Sequence, residues 1–175
     1  MDICFIPECF VDTNLLETLV PPQKQYNHQK GCGTVTKVMK EKFKDDFSVG
    51  LIDKDKKQVD YLKEFDLVID RDPIFLHKHK NRPHYIIQIS PAIEQFILNE
   101  ATDVGIDIAH YDLPSELLKL TKISKSTTSK NDQRFKRLFT DLIQNQASNL
   151  IVLRKWIKYL KSETYKVNID AMKKL

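Results

Sequence analysis

The sequence is poor in glycine and cysteine and has no long apolar segment. Only 4 of its 175 residues are glycine, and its 3 cysteines, Cys4, Cys9 and Cys32, form no CxxC pair. An odd set of unpaired cysteines argues against a disulfide-stapled secreted domain and offers zinc no obvious ligand set. No apolar run approaches the roughly 18 residues that a membrane-spanning helix needs, and the first residues do not resemble a signal peptide. We therefore expect a reduced, cytoplasmic protein that does not bind a membrane.

A nucleotide-binding loop is also missing. The segment from Gly31 to Lys37 lacks the GK[ST] ending of a phosphate-binding P-loop, so any ATPase that works with this protein must be a separate partner chain. Hydrophobic residues nevertheless make up 41% of the chain, which is enough for a proper core. A length of 175 residues fits one domain with a small appendage.

Charge is divided unevenly along the chain. Residues 121–175 contain 13 Lys or Arg against 4 Asp or Glu, whereas residues 1–120 contain 15 against 20. An acidic N-terminal part and a basic C-terminal part are typical of a metal site beside a surface that binds a polyanion. Solvated, lysine-rich helix faces would produce the same imbalance, so charge alone leaves both interpretations open.

The apolar pattern predicts alternating strands and helices, followed by helices only. Predicted strands cover 2–7, 25–28, 47–52, 67–69 and 84–89, and predicted helices cover 14–20, 31–43, 57–65, 91–101, 131–146 and 148–162. Polar loops are predicted at 70–83 and 121–130. This order predicts an α/β domain at 1–105, with a mainly parallel sheet of four to five strands flanked by helices. A basic helical extension at 106–175 is expected to pack on that domain.

Acidic residues follow two of the predicted strands. Glu8 and Asp12 come after the first apolar run, and Asp53 and Asp55 come after the second. Residues just past the carboxyl ends of neighbouring strands meet at one edge of an α/β sheet. In a DxD unit at a strand end, alternate residues point the same way, so Asp53 and Asp55 can share a pocket. Carboxylates crowded in this way favour a divalent cation that keeps open positions for phosphate oxygens and water.

The segments FIPECFVD at 5–12 and VGLIDKD at 49–55 together resemble the TOPRIM domain. Topoisomerases, bacterial primases, small RNA-maturing nucleases and OLD-family nucleases share this domain. In that family one strand ends in Glu, an Asp follows four residues later, and a later strand ends in DxD. The resemblance covers about residues 2–100, and the positions that match the pattern are Glu8, Asp12, Asp53 and Asp55.

The resemblance implies both a cofactor and a set of ligands. Family members use these carboxylates to bind Mg²⁺ for breaking or making phosphodiesters, so Mg²⁺ or Mn²⁺ is the expected cofactor. Glu8, Asp53 and Asp55 are then the expected catalytic residues, with Asp12 as a further metal ligand. One position departs from the family pattern, because Cys9 stands where a glycine usually relieves a tight turn.

The segment from Ser90 to Leu98 indicates a subgroup. It resembles the corresponding segment of TOPRIM domains in OLD-like and related phage-defence nucleases, where a glutamate at a helix start joins the metal cluster. By that resemblance Glu94 is a candidate ligand of a second metal ion, and Ser90 is a further candidate. From the residues alone, Ser90 is a good helix N-cap ahead of Pro91, and Glu94 is a favourable charge in the first helical turn.

Basic and histidine side chains are candidates for contacting nucleic acid. The segment 27–31 precedes a predicted helix, so it is placed to present backbone N–H groups and a histidine to a phosphate. The basic segment 77–82 and the lysines of 121–130 lie in predicted loops, where phosphate contact and simple solvation are both open. The candidate nucleic-acid-binding residues are His28, Lys54, Lys78, Lys80, Arg82, Lys122 and Lys125.

Three functions remain open at this stage. The first is a Mg²⁺-dependent phosphodiester-processing protein, namely a nuclease acting on DNA or RNA. The second follows from FVDTNLL at 10–16, which resembles the start of PIN-domain ribonucleases; there Asp12 would be the strand-end ligand and Glu8 would not matter. The pair Asp53 and Asp55 comes too early for the last acidic residues of a PIN domain. The third is a non-catalytic TOPRIM-like module that binds nucleic acid and needs a partner.

Overall fold

A five-stranded sheet forms the centre of the computed structural model, which describes residues 2–54 and 59–175. The strands lie side by side in the order β1-β2-β5-β4-β3. Helices flank this sheet, so the predicted α/β class is confirmed. In chain order, the strands are β1 (Phe5–Pro7), β2 (Ser48–Asp53), β3 (Phe65–Arg71), β4 (Ile74–His79) and β5 (His84–Ile89).

The sheet is mixed, and the prediction of a mainly parallel sheet is wrong. β1, β2 and β5 run parallel, whereas β4 is antiparallel to β5 and β3 is antiparallel to β4. The difference arises in the segment 70–83, predicted as a polar loop, which turns at Asp72-Pro73 and then forms β4. The last three residues of β4 are polar, so the sequence lacks the continuous apolar run that would have predicted this strand. Buried His79 is accommodated there because its Nε2 lies 3.2 Å from Glu64 Oε2 and its ring contacts Phe65 edge-on.

Most helices differ from the prediction only at their ends. The helix predicted at 57–65 is an exception: a 3-10 turn covers Asp60–Glu64, and residues 57–58 lie outside the described residues. The predicted strand at 25–28 is not formed, and the predicted loop at 121–130 is largely helical. In the part of the chain that the structure describes, no helix is both long and apolar enough to cross a membrane. The α-helices are α1 (Phe10–Leu19), α2 (Cys32–Glu41), α3 (Ile93–Asp103), α4 (Leu117–Ser124), α5 (Gln133–Gln144), α6 (Ser148–Glu163) and α7 (Ile169–Met172), and 3-10 turns lie at Asp2–Cys4, Asp60–Glu64, Ile108–Tyr111, Thr127–Asn131 and Thr164–Lys166.

The two central strands are covered on both faces. All six residues of β5 and the first five of β2 are buried, which is typical of parallel strands between helical layers. α2 approaches β2 closely at Gly50, where an added Cβ would lie 3.1 Å from Val35 Cγ1 and 3.1 Å from Met39 Sδ. The missing side chain of Gly50 therefore sets the distance between this helix and the strand that ends in Asp53.

Gly50→Ala is expected to destabilise the fold. The added methyl group must displace Val35 or Met39 from a packed core, and overpacking of this kind costs about 1–3 kcal/mol. Gly33→Ala is the matched control, because a Cβ at this exposed position in α2 meets nothing within 4 Å and replaces a poor helix former by a good one. Chemical denaturation should show a lower midpoint for Gly50→Ala and an equal or higher midpoint for Gly33→Ala. Equal midpoints for Gly50→Ala and the unaltered protein would contradict the close packing described here.

Buried polar contacts tie the C-terminal helices to the sheet domain. The Asn14 side-chain amide on α1 donates to the backbone oxygens of Ser129 (2.9 Å) and Asp132 (3.1 Å). Glu100 on α3 accepts from the Asn149 backbone N–H (3.1 Å) and from its side-chain amide (2.6 Å), and so caps the start of α6. The contacts of Asn14 hold the 3-10 turn Thr127–Asn131 against α1, and those of Glu100 hold the start of α6 against α3. The boundary predicted at residue 105 stays a prediction.

Candidate functional site

The parallel pairing of β1 with β2 brings the first two acidic clusters together. Pro7 is paired with Leu51, so the residues that follow these positions emerge at the same edge of the sheet. The Asp53 backbone N–H donates to Glu8 Oε2 at 3.0 Å, and the Glu8 backbone N–H donates to Leu51 O at 3.0 Å. Glu8 and Asp53 are therefore neighbours in space although 45 residues separate them in the sequence.

Cys9 turns the chain from β1 into α1 without needing glycine. Its φ of −130° and ψ of 173° are extended values open to any residue, so the glycine typical of the TOPRIM pattern is not required here. The Cys9 backbone N–H donates to Asp12 Oδ2 at 3.0 Å, and the Asp12 backbone N–H donates to Cys9 Sγ at 3.4 Å. This reciprocal cap starts the helix and turns the Asp12 carboxylate back towards the end of β1. Burial, together with the Asp12 charge, raises the pKa of the Cys9 thiol, so Cys9 stays protonated and is a poor nucleophile.

Asp12 has one carboxylate oxygen without a partner. The residue is 1% exposed, and its Oδ1 atom is buried with no hydrogen-bond donor among the described residues. A buried acceptor in this state costs free energy unless a proton or a cation meets it. Either a proton or a bound cation would satisfy this atom, and burial favours the proton when no cation is present.

Asp53 and Glu94 connect the cluster to the start of α3. Asp53 Oδ1 accepts from the Ile93 backbone N–H at 2.9 Å, so a residue from β2 caps this helix. The prediction that Ser90 caps a helix beginning at Pro91 is wrong: α3 begins at Ile93, and its N-cap residue, Ala92, has no side-chain oxygen to offer. The sequence pattern missed this cap because Asp53 is distant in the chain.

Glu94 is buried in the first turn of α3 and meets a residue that the sequence did not point to. Its Oε1 accepts a hydrogen bond from the Ser124 hydroxyl at the end of α4. The Ser129 hydroxyl donates in turn to the Ser124 backbone oxygen at 2.6 Å. The basic C-terminal region therefore contacts the carboxylate site directly: the Ser124 side chain bonds Glu94, and the Ser129 side chain holds the Ser124 backbone.

Burial and mutual repulsion perturb the carboxyl groups strongly. Burial raises the pKa of Asp12 to about 7, and the charges of Glu8 and Glu94 act in the same direction. Burial also raises the pKa of Asp53 to about 9, with the charges of Asp12, Glu8 and Glu94 adding to the effect. Without a counter-charge, this site therefore favours holding protons at neutral pH.

The four carboxylates are neighbours but do not form a ready-made coordination shell. Within residues 2–54 and 59–175, no three His, Cys, Asp or Glu side chains are arranged to hold a metal ion. The hydrogen bonds explain this, because Glu8, Asp12, Asp53 and Glu94 each direct an oxygen to a donor of the protein itself. Asp55, predicted as the second carboxylate of the DxD unit, lies outside the described residues.

The donor set nevertheless fits a hard divalent cation. All four side chains offer oxygen, the ligand type that Mg²⁺ and Mn²⁺ prefer, and the buried Oδ1 of Asp12 is already desolvated and unpartnered. Among the described residues, those that would hold the ion are Glu8, Asp12, Asp53 and Glu94.

A cavity of about 280 Å³ opens beside Glu8, and its lining also includes His28, Lys30 and Lys125. Two candidates from the sequence, His28 and Lys125, are thus brought to the carboxylates, and Lys30 joins them although the sequence did not single it out. Gly31 also lines this cavity, with a φ of +87° that suits glycine, at the bend into α2. The cavity thus has one carboxylate, Glu8, and two lysines in its lining, a mixture of charges that suits a phosphate group near a cation.

Other basic candidates lie elsewhere. Lys78, Lys80 and Arg82 surround the start of β5, next to Pro83, whose carbonyl accepts from the first residue of β2. This is the amino-terminal edge of the parallel strands, opposite the carboxylates. Lys54 follows β2 directly, but its ammonium group lies 3.9 Å from the centre of the Phe75 ring. Lys122 is exposed on α4. Nucleic-acid contact by these residues stays a prediction.

No protein-family model, no curated protein and no solved structure matches this chain. The geometry of the carboxylates and of the adjoining cavity is therefore the basis for proposing a function.

Proposed function

We propose that this protein is a Mg²⁺- or Mn²⁺-dependent nuclease that acts on the phosphodiester bonds of DNA or RNA. The observation that carries the proposal is the unpartnered, buried Oδ1 of Asp12 within a group of mutually repelling carboxylates. Those carboxylates lie where β1 and β2 end and α3 begins. The resemblance of the same residues to the TOPRIM pattern supports this assignment.

Each side chain has a separate task in this proposal. Glu8, Asp53 and Asp55 are the catalytic carboxylates, and Asp12 and Glu94 complete the ligand set. A divalent cation at such a site withdraws charge from phosphate oxygens and makes water more acidic. Lys125 and Lys30 face the same cavity as Glu8 and neutralise the phosphate group beside the one that is cleaved.

The hydrogen bonds that connect Glu94, Ser124 and Ser129 give the C-terminal helices a role in this function. They position the end of α4, and with it Lys125, next to the carboxylates. The excess of positive charge in residues 121–175 then extends the path of the nucleic-acid backbone beyond the cavity. Any ATPase that works with this protein would be a separate partner chain, because Gly31 to Lys37 lacks the GK[ST] ending of a P-loop.

A PIN-type ribonuclease is the alternative enzyme, and Glu8 distinguishes the two. The carboxylate that directly follows β1 is Glu8, whereas Asp12 lies inside α1, an arrangement that supports the TOPRIM-type assignment. We expect Glu8→Gln and Asp12→Asn to lower metal-dependent cleavage of labelled DNA and RNA by similar factors, roughly 10²-fold or more. Loss of activity in Asp12→Asn together with full activity in Glu8→Gln would support the PIN-type enzyme.

A binding module without catalysis is the second alternative, because the described residues hold no ready-made coordination shell. In that case the protein retains oligonucleotides in Mg²⁺ without cutting them. Fluorescence anisotropy with labelled DNA and RNA, run beside the cleavage assay, separates the two functions. Binding that persists while every substrate stays intact would favour the module over the nuclease.

A further inference from the structure

His28 is held beside the carboxylate site by an extended segment that runs along β1. The backbone N–H groups of Asn27 and Gln29 donate to Phe5 O (3.1 Å) and Pro7 O (3.0 Å). Two residues further on, the Gly31 N–H donates to the Glu8 backbone oxygen at 3.2 Å. Although no strand is assigned here, the segment follows the edge of the sheet and delivers His28 to the cavity that Glu8 lines.

Two contacts fix the orientation of the imidazole ring. The ring stacks on Phe10, with centroids 4.2 Å apart and planes 23° from parallel. Its Nδ1 atom lies 3.1 Å from Thr13 Oγ1 on α1. Stacking sets the plane of the ring, and the contact with Thr13 sets its rotation within that plane.

The hydrogen bonds around Thr13 favour one tautomer of the neutral ring. The Cys9 backbone oxygen, 2.8 Å from Thr13 Oγ1, is placed to accept the single hydroxyl proton of Thr13. Thr13 Oγ1 then accepts from His28, and we assign the ring proton to Nδ1 on this basis. In the neutral ring the lone pair is then on Nε2, which points away from Thr13. Burial lowers the pKa of His28; a hydrogen bond to the Cys9 backbone opposes this effect, and the Lys130 charge adds a smaller lowering. The net shift is downward, so the neutral ring predominates at pH 7.

We propose that His28 is a catalytic residue, the general base that takes a proton on Nε2 from the attacking water; this inference rests on the nuclease function proposed above. The water oxygen forms a bond to phosphorus as its proton passes to Nε2. The bond from phosphorus to the leaving ester oxygen then breaks, and that oxygen keeps the electron pair and takes a proton from solvent. The imidazolium returns its proton to solvent, so each turnover consumes one water and yields one phosphomonoester and one alcohol.

The surroundings of the ring suit this role. Lys30 and Lys125 line the same cavity as the ring and would hold the nucleic-acid backbone beside it, and Glu8, also in the lining, connects this cavity to the carboxylates. Phe10 excludes water from one face of the imidazole. The titratable and charged groups that face His28 from the neighbouring elements are Glu8, Cys9, Lys30, Lys125 and Lys130.

His28→Asn tests the proposal, because its side-chain amide still donates to Thr13 but provides no basic nitrogen. Cleavage of a fluorescently labelled oligonucleotide in Mg²⁺ should show kcat lowered by about 10²–10⁴-fold, with KM and Mg²⁺ affinity unchanged. In His28→Ala, added imidazole should restore part of the rate in proportion to its concentration. Thr13→Val is the matched control: it removes the acceptor but keeps the ring, so its kcat should fall less than that of His28→Asn.

Three outcomes would overturn the inference, and they are distinguishable. Wild-type kcat in His28→Asn would mean that no base is needed at this position. A loss of rate that parallels a loss of Mg²⁺ affinity or of thermal stability, without imidazole rescue, would mean that His28 only anchors the segment. Absence of metal-dependent cleavage in the unaltered protein would remove the proposed nuclease function and this inference together.

Discussion

Asp53→Asn is expected to lower metal-dependent cleavage by about 10²–10⁴-fold, the effect of losing several kcal/mol of electrostatic stabilisation in the transition state. The substitution keeps the shape of the side chain and an oxygen that can accept from the Ile93 backbone N–H, so the cap of α3 remains. It removes an ionisable group that interacts with Glu8, Asp12 and Glu94, and the hydrogen bond from the Asp53 backbone N–H to Glu8 Oε2 remains. Initial rates on labelled DNA and RNA in Mg²⁺ and Mn²⁺ measure the change.

Asp103→Asn is the control for this experiment, because Asp103 is exposed in the last turn of the same helix, α3. It should cleave at the rate of the unaltered protein. Circular dichroism on all three proteins checks that the fold is retained. Equal rates for Asp53→Asn and Asp103→Asn would refute a catalytic role for the carboxylates at the end of β2.

Asp53→Asn is also expected to stabilise the metal-free protein. The pKa of Asp53 is about 9 in the fold and about 3.9 in an unfolded chain, so between these pH values the native state binds more protons than the unfolded state. The free energy of unfolding therefore falls as pH rises through this window. Asn does not titrate, so the free energy of unfolding of Asp53→Asn lacks this decrease with pH. At pH 8 with EDTA, Asp53→Asn should unfold at a Tm at least about 2–4 °C higher, which corresponds to about 1 kcal/mol for a chain of this size.

Asp132→Asn is a control with the opposite sign. Asp132 also caps a helix, α5, but hydrogen bonds from the Arg134 side chain lower its pKa. Its charge therefore stabilises the fold above the unfolded-state pKa, and this stabilisation is lost as pH falls towards the folded-state pKa. At pH 8 Asp132→Asn should have a lower Tm. Asp53→Asn should approach the unaltered protein near pH 4, whereas Asp132→Asn should do so only at lower pH, towards the folded-state pKa of Asp132. A lower Tm for Asp53→Asn at pH 8 would contradict the crowding of charge described here.

Mg²⁺ should reverse the order of stability between the unaltered protein and Asp53→Asn. A cation that binds only the folded state raises the free energy of unfolding as its concentration exceeds the dissociation constant. The unaltered protein supplies the full set of carboxylates, so its Tm should rise with added MgCl₂. The Tm of Asp53→Asn should stay near its metal-free value.

Much of the candidate site follows from local patterns in the sequence. The run at 84–89 predicts β5 with the bounds that the structure has, and the run at 47–52 predicts β2 to within one residue. Because these strands are buried and parallel, they are continuous apolar segments in the sequence. Once two acidic residues follow two such strands, the nearness of Glu8 and Asp53 needs only the parallel pairing of β1 with β2.

The remaining parts depend on contacts between distant residues. β4 contains three polar residues in its last three positions, and burial of His79 depends on Glu64 and Phe65, which lie on the preceding elements. The cap of α3 comes from Asp53, 40 residues before Ile93. The hydrogen-bond partner of Glu94 is Ser124, which lies 30 residues later in the sequence, at the end of α4. No periodicity in the sequence encodes pairings of this kind, because they are created by the packing itself.

The most direct test of the central claim is a calorimetric titration of MnCl₂ into the metal-free protein and into Asp12→Asn. Asp12 carries the buried Oδ1 atom that lacks a partner, and Asn at this position keeps the size of the side chain while removing its charge. The carboxylate site predicts saturable Mn²⁺ binding by the unaltered protein, competed by Mg²⁺, and binding at least about tenfold weaker in Asp12→Asn, a loss of roughly 1.4 kcal/mol. Absence of binding in the unaltered protein, or equal affinity in both, would contradict a divalent-cation site at the ends of β1 and β2.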